Sequence, residues 1–193
     1  MAAACATTAP PASSQLTAVG VAAAPVGFVE MCLADPEACG AQSGLALQPQ
    51  VEMDAALWAT VIKVNRGANR AIRYVPDQTF GNRDLWRIAD SAGDCEDYAL
   101  AKRAALLELG FPGASLRLAT VFSRRTGHHA VLVLSTTDGD YVLDNNRDAI
   151  LPWSDTDFAW VSVQSAESPM RWLRVASRGG VVADLSPEAT AGG

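Results

Sequence analysis

The sequence lacks two features that would each indicate a class of function. It has no run of about 18 apolar residues, the length that a transmembrane helix requires. It has no cluster of basic residues, and its 15 Lys and Arg are outnumbered by 21 Asp and Glu, which gives a net charge of −6. We therefore expect no membrane span and no binding to the phosphate backbone of a nucleic acid.

Histidine and cysteine are also scarce. The chain has only two histidines, His128 and His129, and four cysteines, at positions 5, 32, 39 and 95. Cys32 and Cys39 flank a short loop, which predicts either a small disulfide ring or two buried free thiols. The disulfide would indicate an oxidising compartment and would leave Cys95 without a partner.

The length and composition fit one globular domain. The 193 residues are 49% apolar and 19% charged, which is typical of a chain that buries a core. Residues 1–25 are rich in Ala, Thr, Ser and Pro and contain no Lys or Arg, so we predict a flexible leader or the remnant of an export signal. The domain is predicted over 26–177, followed by a flexible tail over 178–193.

Apolar periodicity in the first half of the domain predicts helices. Between residues 51 and 72, apolar side chains recur every three or four positions, as on one face of a long helix. Asn65 and Asn69 lie on a neighbouring face of that helix, where they either tie a loop to it or form an ordinary polar surface. A second helix is predicted from Asp94 to Leu109, ended by Gly110.

The period changes from 3.6 to 2 after this second helix. Alternating or β-branched segments separated by turn residues predict strands over 115–123, 129–136, 140–145, 158–165 and 171–177. Helices followed by strands indicate an α+β fold, with the helices packed on one face of an antiparallel sheet.

The start of the second helix combines a thiol with three carboxylates, in the order Asp94, Cys95, Glu96 and Asp97. Acidic neighbours raise the pKa of a thiol, whereas the N-terminal end of a helix lowers it. A purely structural explanation is that Asp94 caps the helix and that the other carboxylates face the positive end of its dipole. That explanation accounts for one or two of the carboxylates better than for three.

Two further residues complete a candidate catalytic site. His129 begins one strand of a predicted hairpin and Asp144 ends the other, so the hairpin would make them neighbours. A thiol at a helix start, a base and a residue that orients the base are the parts of a Cys-His-Asp triad. His128 is the weaker candidate base, and its ring is expected to point to the opposite face of the strand. Papain-like and transglutaminase-like folds share this arrangement.

The blocks "GDCEDYALAKR", "HAVL" and "GDYVLDN" occur in this order and closely resemble the bacterial transglutaminase-like cysteine proteinases. The resemblance covers about residues 28–165, and "MCLADPEACG" is similar to an N-terminal segment of the same family. The best-known members are periplasmic proteases that release biofilm adhesins from the cell surface. The resemblance implies an exported or periplasmic cysteine endopeptidase that cleaves an extended segment of a protein substrate, with an inner-membrane signalling receptor as a candidate partner.

The resemblance also implies roles for individual residues. Cys95 would be the nucleophile, His129 the general base and acid, and Asp144 the residue that orients the imidazole. Because adhesin-releasing members bind calcium beside the nucleophile, the side chains of Asp94, Glu96 and Asp97 become candidate Ca²⁺ ligands, and their oxygen atoms suit that ion. Trp86, in the long loop over 74–93, is a candidate wall of the oxyanion pocket.

Two other functions are compatible with the same residues. A thioester formed on Cys95 could be resolved by an amine, which would make the protein an acyltransferase or a transglutaminase-type enzyme. A relative without catalytic activity could use the same groove to bind a peptide or a receptor. The presence of all three triad residue types argues against this second alternative.

Overall fold

The computed structural model describes residues 10–39, 50–77 and 84–176. Cys5 and the tail predicted over 178–193 lie outside the described residues, as do the first nine residues of the predicted leader. The described residues form three α-helices, which are α1 (Val26–Ala34), α2 (Ala55–Ala71) and α3 (Cys95–Glu108). They also form nine strands, which are β1 (Ala18–Ala22), β2 (Arg73–Tyr74), β3 (Ala92–Gly93), β4 (Leu116–Ser123), β5 (Gly127–Thr136), β6 (Gly139–Leu143), β7 (Leu151–Pro152), β8 (Ala159–Gln164) and β9 (Trp172–Val175).

Seven of these strands form one antiparallel sheet in the order β1-β9-β8-β4-β5-β6-β7. β5 lies inside the sheet between β4 and β6, and all its residues from 129 to 136 are buried. The two short strands β2 and β3 pair in parallel directly before α3. The α+β fold with an antiparallel sheet is confirmed, and the period-2 segments of the sequence correspond to β4, β5, β6, β8 and β9.

The helices cover one face of the sheet. Phe28 of α1, Trp58 of α2 and Leu106 of α3 belong to one apolar core together with Leu118 and Leu132 of the sheet. The alternating side chains of the same strands face a second core on the other side, which includes Val131, Val133, Trp153 and Trp160. Because both faces are buried, β5 is almost continuously apolar rather than alternating.

α2 begins later than the periodicity of the sequence predicts. The Asp54 side chain accepts a hydrogen bond of 2.8 Å from the Leu57 amide and caps α2, so the helix starts at Ala55 rather than near Val51. Val51 instead forms a parallel bridge to Thr136 at the end of β5.

The stretch predicted as a leader contributes to the domain from residue 10 onward. β1 pairs with β9, and Tyr141 donates a hydrogen bond of 2.7 Å from its hydroxyl to the Pro11 carbonyl. The Leu16 side chain is buried in the second core. From residue 10 onward this stretch therefore packs against the domain predicted over 26–177, through hydrogen bonds to distant strands that composition does not reveal.

Helices that could span a membrane are absent from the described residues, since none of them is both long enough and apolar enough.

Asp140 connects the N-terminal segment to the sheet, and we expect Asp140→Ala to lower the free energy of unfolding by about 3 kcal/mol. Its fully buried carboxylate accepts hydrogen bonds from the Leu16 amide at 2.6 Å and from the Arg117 guanidinium at 3.0 Å. Urea denaturation followed by circular dichroism measures the loss. Asp138→Ala, at an exposed position of the same turn, is the control; equal effects of the two variants would contradict this role of Asp140.

Candidate active site

Cys95 is the first residue of α3, and Asp94 precedes it in an extended conformation. The Asp94 side chain does not cap the helix; its Oδ2 accepts a hydrogen bond of 3.0 Å from the Asp77 amide instead. The capping explanation of the acidic cluster is therefore wrong for Asp94. Its carboxylate is directed toward the loop before the helix because that loop folds back against the helix start.

The thiol of Cys95 has two close polar neighbours. Its Sγ lies 3.1 Å from Glu96 Oε2, to which it donates a hydrogen bond, and it accepts one from the backbone N–H of Ala130. Burial and the charge of Glu96 raise the pKa of the Cys95 thiol well above its ordinary value, and the Ala130 N–H offsets this in part. Of the two opposing effects on the thiol pKa that the sequence predicts, the one that raises it is the larger. The thiol is therefore protonated when the carboxylates beside it are ionised.

His129 and Asp144 meet across the hairpin as predicted. His129 Nε2 lies 2.9 Å from Asp144 Oδ1, and both side chains are buried. The main-chain N–H of Asn146 also donates a hydrogen bond of 2.9 Å to Asp144 Oδ1. Burial alone would raise the pKa of the Asp144 carboxyl, but the hydrogen bonds from His129 and Asn146 hold it below its ordinary value. An ionised carboxylate fixes the ring with its proton on Nε2, which makes Nδ1 the basic nitrogen.

His128 occupies the position next to this pair and is exposed to solvent. Its ring packs edge to face against Phe122, with the centroids 5.7 Å apart. The expected division of the two histidines between opposite faces of β5 is confirmed.

The turn after β6, which carries Asp144, is held by the two asparagines of α2. The Asn69 side chain donates to the carbonyl oxygens of Asp144 and Arg147, both at 3.1 Å, and the Asn65 side chain donates to the Asp148 carbonyl at 3.2 Å. Asn65 is completely buried. Of the two explanations that the sequence left open, the tie between loop and helix is therefore the observed one.

Cys95 and His129 face a common cavity of about 590 Å³. Its walls combine the aromatic and apolar side chains of Tyr74, Trp86 and Pro25 with acidic side chains, among them Asp94 and Glu96. The cavity is open to solvent at Tyr74, whose exposed fraction is 57%. The cavity has the size and the mixed lining of a substrate site.

Trp86 forms the wall of this cavity but has a partner for its indole nitrogen. Nε1 donates a hydrogen bond of 3.1 Å to Asp84 Oδ2, and the ring packs edge to face against Phe28 and Trp172. The ring therefore shields the site. A role for Trp86 in an oxyanion pocket stays a prediction.

Five carboxylates collect near Cys95, and all of them except Asp97 line the cavity that Cys95 and His129 share. Single oxygen atoms of Asp77, Asp94 and Asp97 lie within 4.8 Å of one another, and the same is true of Asp77, Asp84 and Glu96. The three predicted residues are thus divided between two groups that share Asp77, and Asp77 and Asp84 are additional members. Both additional aspartates belong to the loop over 74–93, whose unusual length indicated a function but not which of its residues would carry it.

Several oxygen atoms of this cluster are buried without a hydrogen bond from the described residues. They are Asp77 Oδ1, Asp94 Oδ1 and Asp97 Oδ2. Arg87 supplies some compensation, since its guanidinium lies 3.3 Å from Asp97 Oδ2 and 3.7 Å from Asp77 Oδ1. Buried carboxylate oxygens of this kind are the hard ligands that a cation such as Ca²⁺ requires.

Burial also changes the proton affinity of the cluster. Burial and the neighbouring Asp94 carboxyl raise the pKa of Glu96 to about 9. Burial raises the pKa of Asp97 to about 7, although Arg87 acts in the opposite direction. In the absence of a cation the cluster therefore retains protons near neutral pH.

Gly93 leaves room for Asp97, because a Cβ at position 93 would fall 2.4 Å from Asp97 Oδ2.

Cys32 and Cys39 lie away from this site and are both buried thiols. They contact each other, and Cys39 Sγ also donates to the Pro36 carbonyl at 3.3 Å. The disulfide considered from their spacing is not formed in this structure, and the alternative of two free buried thiols is the one observed. The spacing of two cysteines in a sequence does not determine whether their thiols only touch or form a disulfide bond.

Comparison with known proteins supports the family resemblance that the sequence motifs indicate. The profile of the family described as bacterial transglutaminase-like cysteine proteinase BTLCP matches residues 18–179. A search of curated proteins gives no significant match.

Among solved structures, LapG from Legionella pneumophila is 31% identical to this chain, with 61% of this chain and 67% of that chain covered and a TM-score of 0.52. The calcium-bound form of Legionella LapG aligns at 24% identity over 82% of this chain and 87% of that chain, with a TM-score of 0.54. The EGTA-treated form aligns at 23% identity over 80% and 87%, with a TM-score of 0.52. The chain therefore belongs to the bacterial transglutaminase-like cysteine proteinases and is a cysteine protease with their α+β fold.

Proposed function

We propose that this protease cleaves peptide bonds with Cys95 as nucleophile, His129 as general base and acid, and Asp144 as the residue that orients the imidazole. The observation that carries the proposal is the 2.9 Å contact between His129 Nε2 and Asp144 Oδ1 on the strand whose next amide, Ala130 N–H, binds the Cys95 thiol. One residue of β5 thus serves as the base while its neighbour holds the sulphur.

The chemistry follows from this arrangement. His129 Nδ1 takes the thiol proton as Cys95 Sγ attacks the carbonyl carbon of the scissile bond. The oxyanion that forms accepts hydrogen bonds from main-chain N–H groups at the start of α3, which have no partner within the helix. His129 then gives the proton to the leaving amine, and a thioester remains on Cys95. Water, deprotonated by His129, hydrolyses the thioester and restores the thiol.

We propose further that the acidic cluster is a calcium site. The three predicted ligands, Asp94, Glu96 and Asp97, together with Asp77 and Asp84, would supply the oxygen atoms. The buried oxygens that accept no hydrogen bond from the described residues fit a hard divalent cation, and a calcium-bound form of the Legionella relative is known. A bound dication would neutralise the charge that raises the pKa of Cys95. In that state Glu96 would no longer compete for the thiol proton.

The proposed substrate is an extended segment of a secreted or surface protein such as a biofilm adhesin, and the proposed location is the periplasm. The support for both is the motif resemblance and the similarity to Legionella LapG. An open cavity about 590 Å³ in volume suits an unfolded segment better than a folded surface. The same resemblance supports an inner-membrane signalling receptor as a partner that sequesters the protease.

Removing a triad side chain is expected to lower kcat/KM by about 10³-fold or more. Cys95→Ala removes the nucleophile, and His129→Ala removes the base while Asp144 stays in place. Mass spectrometry of surface proteins released from cells without their own copy of the protease measures the activity. His128→Gln is the matched control, because this neighbouring ring lines the same cavity but packs on Phe122, whereas the ring in contact with Asp144 is that of His129. Cleavage by either alanine variant, or an amine adduct as the main product, would overturn the assignment.

Isothermal titration calorimetry of the chelator-treated protein is expected to show Ca²⁺ binding. Asp94→Asn, Glu96→Gln and Asp77→Asn should each weaken it at least tenfold, because every variant removes one charged ligand from a buried cluster. Asp90→Asn, an exposed aspartate in the same loop, should bind as the unmodified protein does. Unchanged binding by all three cluster variants would assign these carboxylates to a purely structural role.

Stability in chelator is expected to fall as the pH rises from about 4 to about 9. The pKa values of Asp97 and Glu96 in the folded protein, about 7 and about 9, exceed those of unfolded chains, so the folded state binds more protons in this range. Stability contributed by these protons is present at low pH and is lost as the carboxyls ionise. Urea denaturation at several pH values measures the slope.

Glu96→Gln should flatten this slope, and Ca²⁺ should flatten it for the unmodified protein. Glu37→Gln, at an exposed position, is the control and should leave the slope as it is. An identical slope for the unmodified protein and Glu96→Gln would show that Glu96 is not the group that titrates.

A further inference from the structure

Asn146 contacts both members of the His129–Asp144 pair. Its main-chain N–H donates a hydrogen bond of 2.9 Å to Asp144 Oδ1, and its side-chain Nδ2 lies 3.3 Å from His129 Nε2. His129 Nε2 is also the atom that lies 2.9 Å from Asp144 Oδ1. This imidazole nitrogen therefore has two side-chain neighbours, and the mechanism described above uses only Asp144.

Turn geometry explains the first contact of Asn146 but not the second. An aspartate that begins a turn commonly accepts a hydrogen bond from the main-chain N–H two positions later, and any residue other than proline supplies that N–H. The contact with His129 Nε2 instead requires a polar side chain of suitable length at position 146. The side chain of Asn146 is therefore the part that turn formation does not explain.

The Asn146 side chain lies on the solvent side of the pair. His129 and Asp144 are buried, whereas Asn146 is an exposed residue. Asn65 and Asn69 of α2 also hold this turn, but they donate hydrogen bonds to its main-chain carbonyls. They fix the backbone of the turn, whereas Asn146 contacts the ring.

The charge of Asp144 determines which end of the Asn146 amide faces the ring. An ionised carboxylate only accepts hydrogen bonds, so Nε2 of His129 must carry a proton to pair with it. An N–H group has no favourable pairing with the amide nitrogen of Asn146. Turning the terminal amide by 180° exchanges Nδ2 and Oδ1 with little change in shape, and the oxygen then accepts from the same Nε2–H. The arrangement that satisfies all three groups therefore has the Asn146 oxygen beside the ring.

The opposite orientation of the amide would oppose catalysis. With Nδ2 of Asn146 as donor, Nε2 of His129 would be unprotonated, and the proton of the neutral ring would lie on Nδ1. Nδ1 is the nitrogen that takes the thiol proton in the proposed mechanism, and a protonated Nδ1 cannot act as a base. The orientation of the Asn146 amide and the tautomer of His129 are thus linked.

We infer that Asn146 is a positioning residue of the active site, whose amide oxygen accepts a second hydrogen bond from Nε2–H of His129. Together with Asp144 it holds the ring in one orientation and leaves Nδ1 free to act as the base. The inference rests on the proposed function, because the orientation of the ring affects activity only if His129 is the base. Asn146 acts through His129 and is not among the residues that line the cavity.

Nitrogen-15 NMR of the imidazole rings tests the inference without a substrate. The chain has two histidines, so a His128→Gln background leaves the ring of His129 as the only signal. We expect Nε2 to carry the proton of the neutral ring and to exchange it slowly with water. Asn146→Ala keeps the main-chain N–H but removes the amide, so Nε2–H should exchange about tenfold faster. Asn146→Asp presents an oxygen at the same position and should exchange more slowly than Asn146→Ala.

Activity supplies a second readout, measured on the surface protein that the release assay above identifies. For Asn146→Ala we expect kcat to fall about tenfold with KM changed less than twofold, because the ring loses an orienting contact and the substrate loses none. Asn145→Ala is the matched control, since Asn145 lies in the same turn and its buried Oδ1 accepts no hydrogen bond from the described residues. This control should leave kcat and the exchange of Nε2–H unchanged.

An unchanged exchange rate or an unchanged kcat in folded Asn146→Ala would overturn the inference. Equal effects of Asn145→Ala and Asn146→Ala would also overturn it, because the change would then belong to the turn as a whole. Exchange in Asn146→Asp as fast as in Asn146→Ala would contradict the assignment of an accepting oxygen. Exchange is also measured with Cys95→Ala in the background, so cleavage by Cys95→Ala would refute the proposed function while the contact of Asn146 with the ring is decided separately.

Discussion

The crowding of buried carboxyl groups at the first turn of α3 is the constraint on which the rest of the site depends. Burial takes water away from the carboxylates around Cys95, and Arg87 pairs with only two of them, Asp77 and Asp97. When Glu96 is ionised, its charge acts on the thiol through the 3.1 Å contact between Cys95 and Glu96. A group that neutralises the cluster therefore also favours the thiolate of Cys95, the proposed nucleophile, since the same carboxylate raises the pKa of the thiol and is a candidate cation ligand.

The sheet supplies the opposite side of the site with little freedom to move. β5 is hydrogen-bonded to β4 and β6, so the His129 ring and the Ala130 amide are fixed relative to each other by the strand itself. The turn that carries Asp144 would be mobile as an isolated loop, but Asn65 and Asn69 attach it to α2. Catalytic groups on a strand, a helix start and an anchored turn are held more accurately than groups on free loops.

α3 connects these two halves through packing. Its residues are buried on most of the circumference, including the ionisable Glu96, Asp97, Lys102 and Arg103. Two of these buried groups have a partner in another segment, since Asp97 pairs with Arg87 and Arg103 donates to the Cys39 carbonyl. The helix is therefore partly polar in composition yet internal in position.

The sequence by itself determined the fold class, the family, the helix that begins at Cys95 and the meeting of His129 with Asp144. The family follows from the resemblance of the motif blocks, and the others follow from local periodicity and from a hairpin whose partners are 15 residues apart. Tertiary structure alone decided that Asp77 and Asp84 join the acidic cluster, that Asp94 does not cap its helix, that Asn65 and Asn69 hold a distant turn, and that residues 18–22 enter the sheet. The physical reason is that periodicity specifies which face of a segment is buried, whereas the partner of a polar group depends on which remote segment folds against it, as Leu16 and Asp140 show across 124 positions.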